Sequence, residues 1–184
     1  MSAVVVNFFG GPGAGKSTLA SGLYYFLKRN MTNCELVTEY AKDLTYEERF
    51  KTLECQPYIF GKQLYRIETL LNKVDIIITD SPLFLSLFYN SNKYPKSFRD
   101  CVIDISNSMN NLNYFIDRGK DKNYSLSGRK ESLEQAKQID TNIENFLQNL
   151  NISYKKVNKK FSATAEIMED IQKYRLNNQI KNNL

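Results

Sequence analysis

Val4-Val5-Val6-Asn7-Phe8-Phe9-Gly10-Gly11-Pro12-Gly13-Ala14-Gly15-Lys16-Ser17 is the stretch on which the fold turns. Its first six residues are mostly β-branched or aromatic and predict a strand, and the glycine-rich run that follows predicts a tight loop. Leu19, Leu23, Phe26 and Leu27 then fall on one stripe, which predicts a helix from about Lys16 to Arg29. Residues 10–17 satisfy G-x-x-x-x-G-K-[ST] in full, with the strand before and the helix after that this pattern requires. Glycines allow successive backbone N–H groups to turn inward on phosphate oxygens, and the helix N-terminus adds its partial positive charge at the same point. On this pattern Gly11, Gly13, Ala14 and Gly15 are expected to supply the cradle, Lys16 to hold the β- and γ-phosphates, Ser17 to ligate Mg²⁺, and Thr18 to lie beside the α-phosphate. The implied cofactors are ATP and Mg²⁺.

Working outward, Glu35 to Thr38, Val74 to Thr79, Asn113 to Ile116 and Ile152 to Val157 read as four more strands. The near-continuous apolar run at 74–79 is typical of a strand buried on both faces of a parallel sheet. Phe60, Leu64, Ile67 and Leu71 mark one intervening helix. Leu133, Ala136, Ile139, Ile143, Phe146, Leu147 and Leu150 mark another, opened by the capping-box pattern Ser132-Leu133-Glu134-Gln135. Strands alternating with helices predict an α/β fold, a three-layer sandwich on a five-stranded parallel sheet. One domain is expected over residues 1–176, with a polar tail at 177–184 that frays.

A chain of 184 residues is ample for one core, and 42% hydrophobic with 24% charged residues is the balance of an ordinary soluble domain. No run approaches the length of a spanning helix, and Met1-Ser2-Ala3 leads straight into the first strand, so a cytoplasmic location without membrane attachment is expected. Cys34, Cys55 and Cys101 are far apart and read as reduced thiols. The absence of histidine excludes His metal sites and His-based triads, leaving acid–base work to carboxylates, Lys, Tyr or water. A net charge of +5 is compatible with a polyanionic partner, but Lys outnumbers Arg and Asn is abundant, a bias that A/T-rich codons produce unaided.

Two carboxylates stand at strand ends. Asp80, after Ile76-Ile77-Ile78-Thr79, is a candidate holder of Mg²⁺ or else a turn residue before Ser81-Pro82. Glu39, after the second strand, is a candidate acceptor of the proton from an attacking hydroxyl, or else a cap of a helix starting near Tyr40-Ala41. Arg118, Lys120, Lys122, Arg129 and Lys130 crowd the segment after the fourth strand. They read either as a basic lid over about 118–131, with Arg118 and Arg129 closing on a transferring phosphoryl group, or as a solvated loop. Gln56 and Gln63 share a helical stripe with Phe60 and Ile67, so their amides need partners: a nucleobase, or the chain's own backbone, with Gln56 also placed to cap its helix. Arg66 is a further candidate for an anionic or ribose contact.

With these residues in view, the chain resembles the small P-loop kinases: deoxynucleoside and nucleoside monophosphate kinases and the ribosylnicotinamide-kinase type of domain. It is similar also to short P-loop kinase or ATPase proteins encoded by bacteriophages. The likeness rests on the loop, Thr38-Glu39-Tyr40-Ala41-Lys42, Gln56 to Gln63, Ile78-Thr79-Asp80-Ser81-Pro82 and Tyr124 to Arg129, and spans about Val4 to Val157. It implies Glu39 as base, Gln56 or Gln63 as reader of a base and Asp80 at Mg²⁺, and Glu39-Tyr40 is similar to the ribosylnicotinamide-kinase type, which makes Tyr40 a substrate-side candidate beside Arg66. Ser81-Pro82 departs from the deoxynucleoside kinases, which carry an Arg directly after the third-strand acid. The expected activity is phosphoryl transfer from ATP to a hydroxyl or phosphate of a nucleoside- or nucleotide-like small molecule, the protein acting alone or as a homodimer. The alternative is a nucleic-acid-associated ATPase or a polynucleotide-end kinase. A GTPase is disfavoured, because neither Asn92-Lys93-Tyr94-Pro95 nor Asn158-Lys159-Lys160-Phe161 supplies the Asp of the guanine-reading motif.

Overall fold

The computed structural model describes residues 3–90, 93–119, 131–160 and 162–182, with side chains through residue 177. Five strands, β1 (Val4–Phe9), β2 (Cys34–Val37), β3 (Ile76–Thr79), β4 (Asn110–Asp117) and β5 (Lys155–Asn158), form one sheet in the order β2-β3-β1-β4-β5, and every pair is parallel. β1 lies at the centre, with Val4 to Asn7 opposite Ile76 to Thr79 on one side and Val4 to Phe9 opposite Asn110 to Phe115 on the other.

Alternation along the strands feeds two cores. Val4, Val6 and Phe8 point to a layer made by α1 (Lys16–Arg29) and α8 (Ser162–Asn182), where they meet Leu19, Leu23, Ala163, Ile167 and Ile171. Val5 and Ile77 point to the opposite layer, where α4 (Gln56–Glu68) brings Phe60 and Ile67 and α6 (Lys96–Asn107) brings Val102. Phe9 and Phe115 are covered on that side by Phe84 and Leu85, the latter on α5 (Leu85–Phe88), and by Ile143 and Leu147 of α7 (Leu133–Asn149). The result is the expected three-layer α/β architecture. At the start of α7, Ser132 and Gln135 form the reciprocal capping box that their spacing predicts.

Two boundaries differ from the sequence reading. β4 begins at Asn110 rather than Asn113, although Asn is a poor strand former. Asn7, 3% exposed in the central strand, donates to Asn111 Oδ1 at 2.9 Å and Asn113 Oδ1 at 3.0 Å, so pairing across the sheet satisfies a buried amide and outweighs local preference. The tail expected to fray from residue 177 instead continues α8 to Asn182. Once Ala163, Ile167 and Ile171 anchor this helix, each further residue adds a backbone bond without a new nucleation cost.

Because the strands are parallel, all five C-terminal ends open on one edge of the sheet. That edge carries residues 10–15 after β1, Glu39 after β2, Asp80 after β3 and Arg118 after β4. Among the described residues no helix is long and apolar enough to cross a membrane.

Candidate phosphate and acceptor site

The loop between β1 and α1 is shaped by conformations that L side chains resist. Gly13 has φ 70° and Gly15, the N-cap of α1, has φ 103°, which turns the chain from the strand into the helix. Ala14 N donates to Gly11 O at 3.2 Å inside the loop, and Leu19 N to Gly15 O at 2.9 Å opens the helix. Lys16 folds back over the loop, its Nζ donating to Gly10 O at 2.8 Å and Gly11 O at 3.1 Å. Burial pushes the Lys16 pKa down, while Glu39, Asp80 and Asp140 oppose this by favouring its charge. Ser17 and Thr18 are exposed at the mouth of the loop.

Ser17 Oγ donates to Asp80 Oδ2 at 2.5 Å. Asp80 is 4% exposed, and its other oxygen, Oδ1, is buried with no hydrogen-bond partner among the described residues. An orphaned carboxylate oxygen in such a place is costly unless something else satisfies it. A hydroxyl and a carboxylate side by side are the hard oxygen donors that Mg²⁺ takes, and the pair fits that ion with a nucleotide's phosphates completing the shell. No group of three or more His, Cys, Asp or Glu placed to hold a metal occurs among the described residues, so the protein offers a partial shell.

Glu39 is the N-cap residue of α2 (Tyr40–Tyr46), yet its side chain makes no capping bond. It is half-buried and close enough to Lys16, Asp80, Lys42 and Asp43 to feel their charges. Burial pushes its pKa above the ordinary glutamate value, Lys16 pulls it down, and Asp80 adds to the rise. Asp80 therefore stands against the loop through Ser17, and Glu39 lies within reach of the charges of Lys16 and Asp80.

The other expected residues are placed less simply. Gln63 is 2% exposed and spends its amide on the chain: Oε1 accepts from Tyr40 N at 3.1 Å, and Nε2 donates to Thr38 O and Thr79 Oγ1, each at 3.3 Å. Gln56, 8% exposed, donates to Leu53 O at 3.2 Å. Of the two partners open to these amides in the sequence, a base or the backbone, both have taken the backbone. Arg66 donates to Thr38 O at 3.1 Å and to Asp43 Oδ2 at 2.7 Å, and stacks over the Tyr40 ring at 5.1 Å. The Tyr40 hydroxyl is 2.9 Å from that of Tyr58.

Arg118 also sits differently from the expectation of an arginine closing over the transferring group. It is 6% exposed, pairs with Asp140 of α7 (Nε to Oδ2, 2.7 Å), and donates through Nη2 to Pro12 O at 2.7 Å. A guanidinium pinned between a helix and the loop's own carbonyl braces the loop rather than swinging over it. Arg129, Lys120, Lys122 and Lys130 lie outside the described residues.

Asp140 and Tyr89 escaped the sequence reading. Asp140 Oδ1 accepts from Gly11 N at 2.5 Å, so one carboxylate ties loop, β4 end and α7 together. The signal for it was present: Asp140 lies four residues after Ala136 and three before Ile143, on the buried stripe of α7, where an acid requires a partner. Tyr89, just after α5, keeps 48% of its surface exposed, while desolvation of its hydroxyl and then the charges of Glu39, Glu131 and Asp140 push its pKa up. No sequence pattern marked it.

The sequence profile of a family described as an AAA domain matches residues 5–164, which takes in the loop, Glu39, Asp80, Arg118 and Asp140. No curated protein matches the chain.

Proposed function

The chain belongs to the AAA domain family of P-loop NTPase-like proteins, and from that premise we propose that it transfers the γ-phosphoryl group of ATP to a hydroxyl of a nucleoside- or nucleotide-like small molecule. The observation that carries this reading is Glu39: half-buried at the strand end beside the phosphate loop, within reach of the charges of Lys16 and Asp80, and making no capping bond. A glutamate held at a raised pKa suits taking the proton of an attacking oxygen, and a panel of acceptors distinguishes a substrate hydroxyl from water.

In the proposed step the acceptor oxygen attacks the γ-phosphorus and the bond from that phosphorus to the β–γ bridging oxygen breaks. The bond's electrons leave with ADP, and the acceptor's proton passes to Glu39. The loop amides and Lys16 hold the phosphates in line, and Ser17 and Asp80 would hold Mg²⁺. When bound there, the ion supplies charge neutralisation on the phosphate oxygens. Arg118 and Asp140 keep the loop in shape while its charge environment changes. The nucleic-acid-associated alternative draws little support from the acceptor-side helices, where Tyr40 to Glu68 carries five Lys and Arg against five Asp and Glu.

The test is incubation with labelled ATP and Mg²⁺ against a panel of nucleosides, nucleoside monophosphates and ribosylnicotinamide. Label is expected on an acceptor hydroxyl, and Lys16→Ala is expected to lose about 10²–10³-fold in turnover. Turnover unchanged in that variant would remove the loop from the chemistry, and acceptor-independent hydrolysis stimulated by DNA would favour the alternative.

A further inference from the structure

The two acids stand on separate strand ends, and nothing in the sheet ladder fixes the loops that carry them to each other beyond β2 and β3. β2 pairs with β3 only as far as Val37 opposite Thr79. After that point both chains leave the sheet, one through Thr38-Glu39-Tyr40 and the other through Asp80-Ser81. Gln63, reaching in from α4, bonds to the residue on each side of Glu39: it donates to Thr38 O and accepts from Tyr40 N. Its second N–H donates to Thr79 Oγ1, and that hydroxyl oxygen also accepts from Ser81 N at 3.1 Å, so the residues on each side of Asp80 join the same network.

The amide's orientation is dictated by its partners. Thr38 O can only accept and the Tyr40 N–H can only donate, so Nε2 and Oε1 cannot exchange places without placing two acceptors and two donors face to face. Both donors of the amide are used, and the side chain is 2% exposed. Arg66, one turn further along α4, adds a second bond to Thr38 O.

We propose that Gln63 is a positioning residue that locks the Glu39 corner to the Asp80 corner through the Thr79 hydroxyl, setting the spacing of base and metal-side acid. This rests on the phosphotransfer reading for its consequence, but the lock itself is a property of the fold. Buried networks of this kind fix a single arrangement only while every member is satisfied. Gln63→Met keeps the length and removes all three bonds, and Thr79→Val removes the bridging hydroxyl while Thr79→Ser retains it.

Amide hydrogen exchange by NMR on the full chain reads the lock directly. In Gln63→Met, protection is expected to fall at least tenfold at both Tyr40 and Ser81. In Thr79→Val it is expected to fall at Ser81, with Thr79→Ser restoring it. Loss at Tyr40 alone would overturn the link between the corners, and unchanged protection at both would overturn the clamp. Should Gln63→Met fail to fold, the Thr79 pair decides through Tyr40: protection there falls in Thr79→Val and returns in Thr79→Ser if the corners are locked, and an unchanged Tyr40 in Thr79→Val overturns the lock. For the consequence, basal ATP hydrolysis is expected to drop about tenfold in kcat in Gln63→Met and Thr79→Val, with ATP affinity by calorimetry within twofold. The double variant is expected to be no slower than the slower single one. Fully additive losses, or a loss carried by ATP affinity, would overturn the positioning role. If Lys16→Ala left hydrolysis intact, the phosphotransfer reading would fall, yet the exchange results would still decide the lock.

Discussion

Residues 10–16 build an anion site from consecutive positions of one loop, whereas the corner that carries Glu39 is assembled from β2, α2, α4 and β3. On the donor side the groups that would touch a ligand are backbone N–H groups and one lysine, and the side chains around them, Arg118 and Asp140, serve as braces. On the acceptor side the polar side chains that resemble ligand readers are themselves the braces. Gln63, Gln56 and Arg66 all bond to backbone carbonyls, and the Glu39 carboxylate makes no capping bond and no hydrogen bond to another of the described residues. Polarity on a buried helical stripe therefore says that a partner exists without saying which. The group to follow is the one whose bonds are not already made.

The sharpest way to break this contrast is at Glu39 itself. Glu39→Gln is expected to lower kcat by about 10²–10⁴-fold with ATP affinity retained. Its raised pKa also fixes signs. Protonated Glu39 cannot take a proton, so if it is the base kcat is expected to fall as pH drops, with a midpoint above the ordinary 4.5 of a glutamate. For stability, the folded state prefers the neutral form, so the contribution of this group is fully present below the unfolded pKa and is lost as pH rises through the folded one. Glu39→Gln is therefore expected to raise Tm at neutral pH, with the gain vanishing in acid. A variant that kept its kcat and lost Tm would make Glu39 a structural residue.

Next in size is the donor-side brace. Asp140→Ala leaves Arg118, 6% exposed, without its carboxylate and frees Gly11 N, and the expected loss is about 3–5 kcal/mol in denaturant unfolding. ATP affinity should fall with it, because the loop is what Asp140 and Arg118 hold. Retained affinity would mean that the loop keeps its shape without α7.

The sequence made the donor half readable because its chemistry is contiguous: Gly10 to Ser17 carries spacing, strand and helix together, and the structure places Ser17 against Asp80. The sheet was equally readable, since Ile76-Ile77-Ile78 and the Ser132–Gln135 capping box are local signals. What escaped was set across the fold. Asp140 meets Gly11 from 129 positions away, and β4 extends to Asn110 only because Asn7 needs Asn111 and Asn113. Arg118 read as part of a lid because the residues after it are basic, but it bonds back to Asp140 on α7 and to the carbonyl of Pro12 in the loop.

Two glycines carry the same contrast into smaller effects. A Cβ at Gly11 would meet Asp140 Oδ1 at 2.8 Å and the Ala136 carbonyl oxygen at 2.9 Å, so Gly11→Ala has to push α7 off the loop and is expected to cost about 1–3 kcal/mol. Gly61, in the middle of α4, would give its Cβ open space, with nothing within 4 Å. Its presence costs helix propensity and adds freedom to the unfolded chain, so Gly61→Ala is expected to stabilise by about 0.5–1 kcal/mol, seen as a rise in Tm. The same helix presents Gln63 and Arg66 to Thr38, so stiffening it tests whether the acceptor corner works as a fixed frame. A fixed frame predicts higher Tm with unchanged kcat. A fall in kcat would mean that α4 has to bend at Gly61 while an acceptor is seated, and the acceptor half would then differ from the donor half in motion as well as in the number of elements that build it.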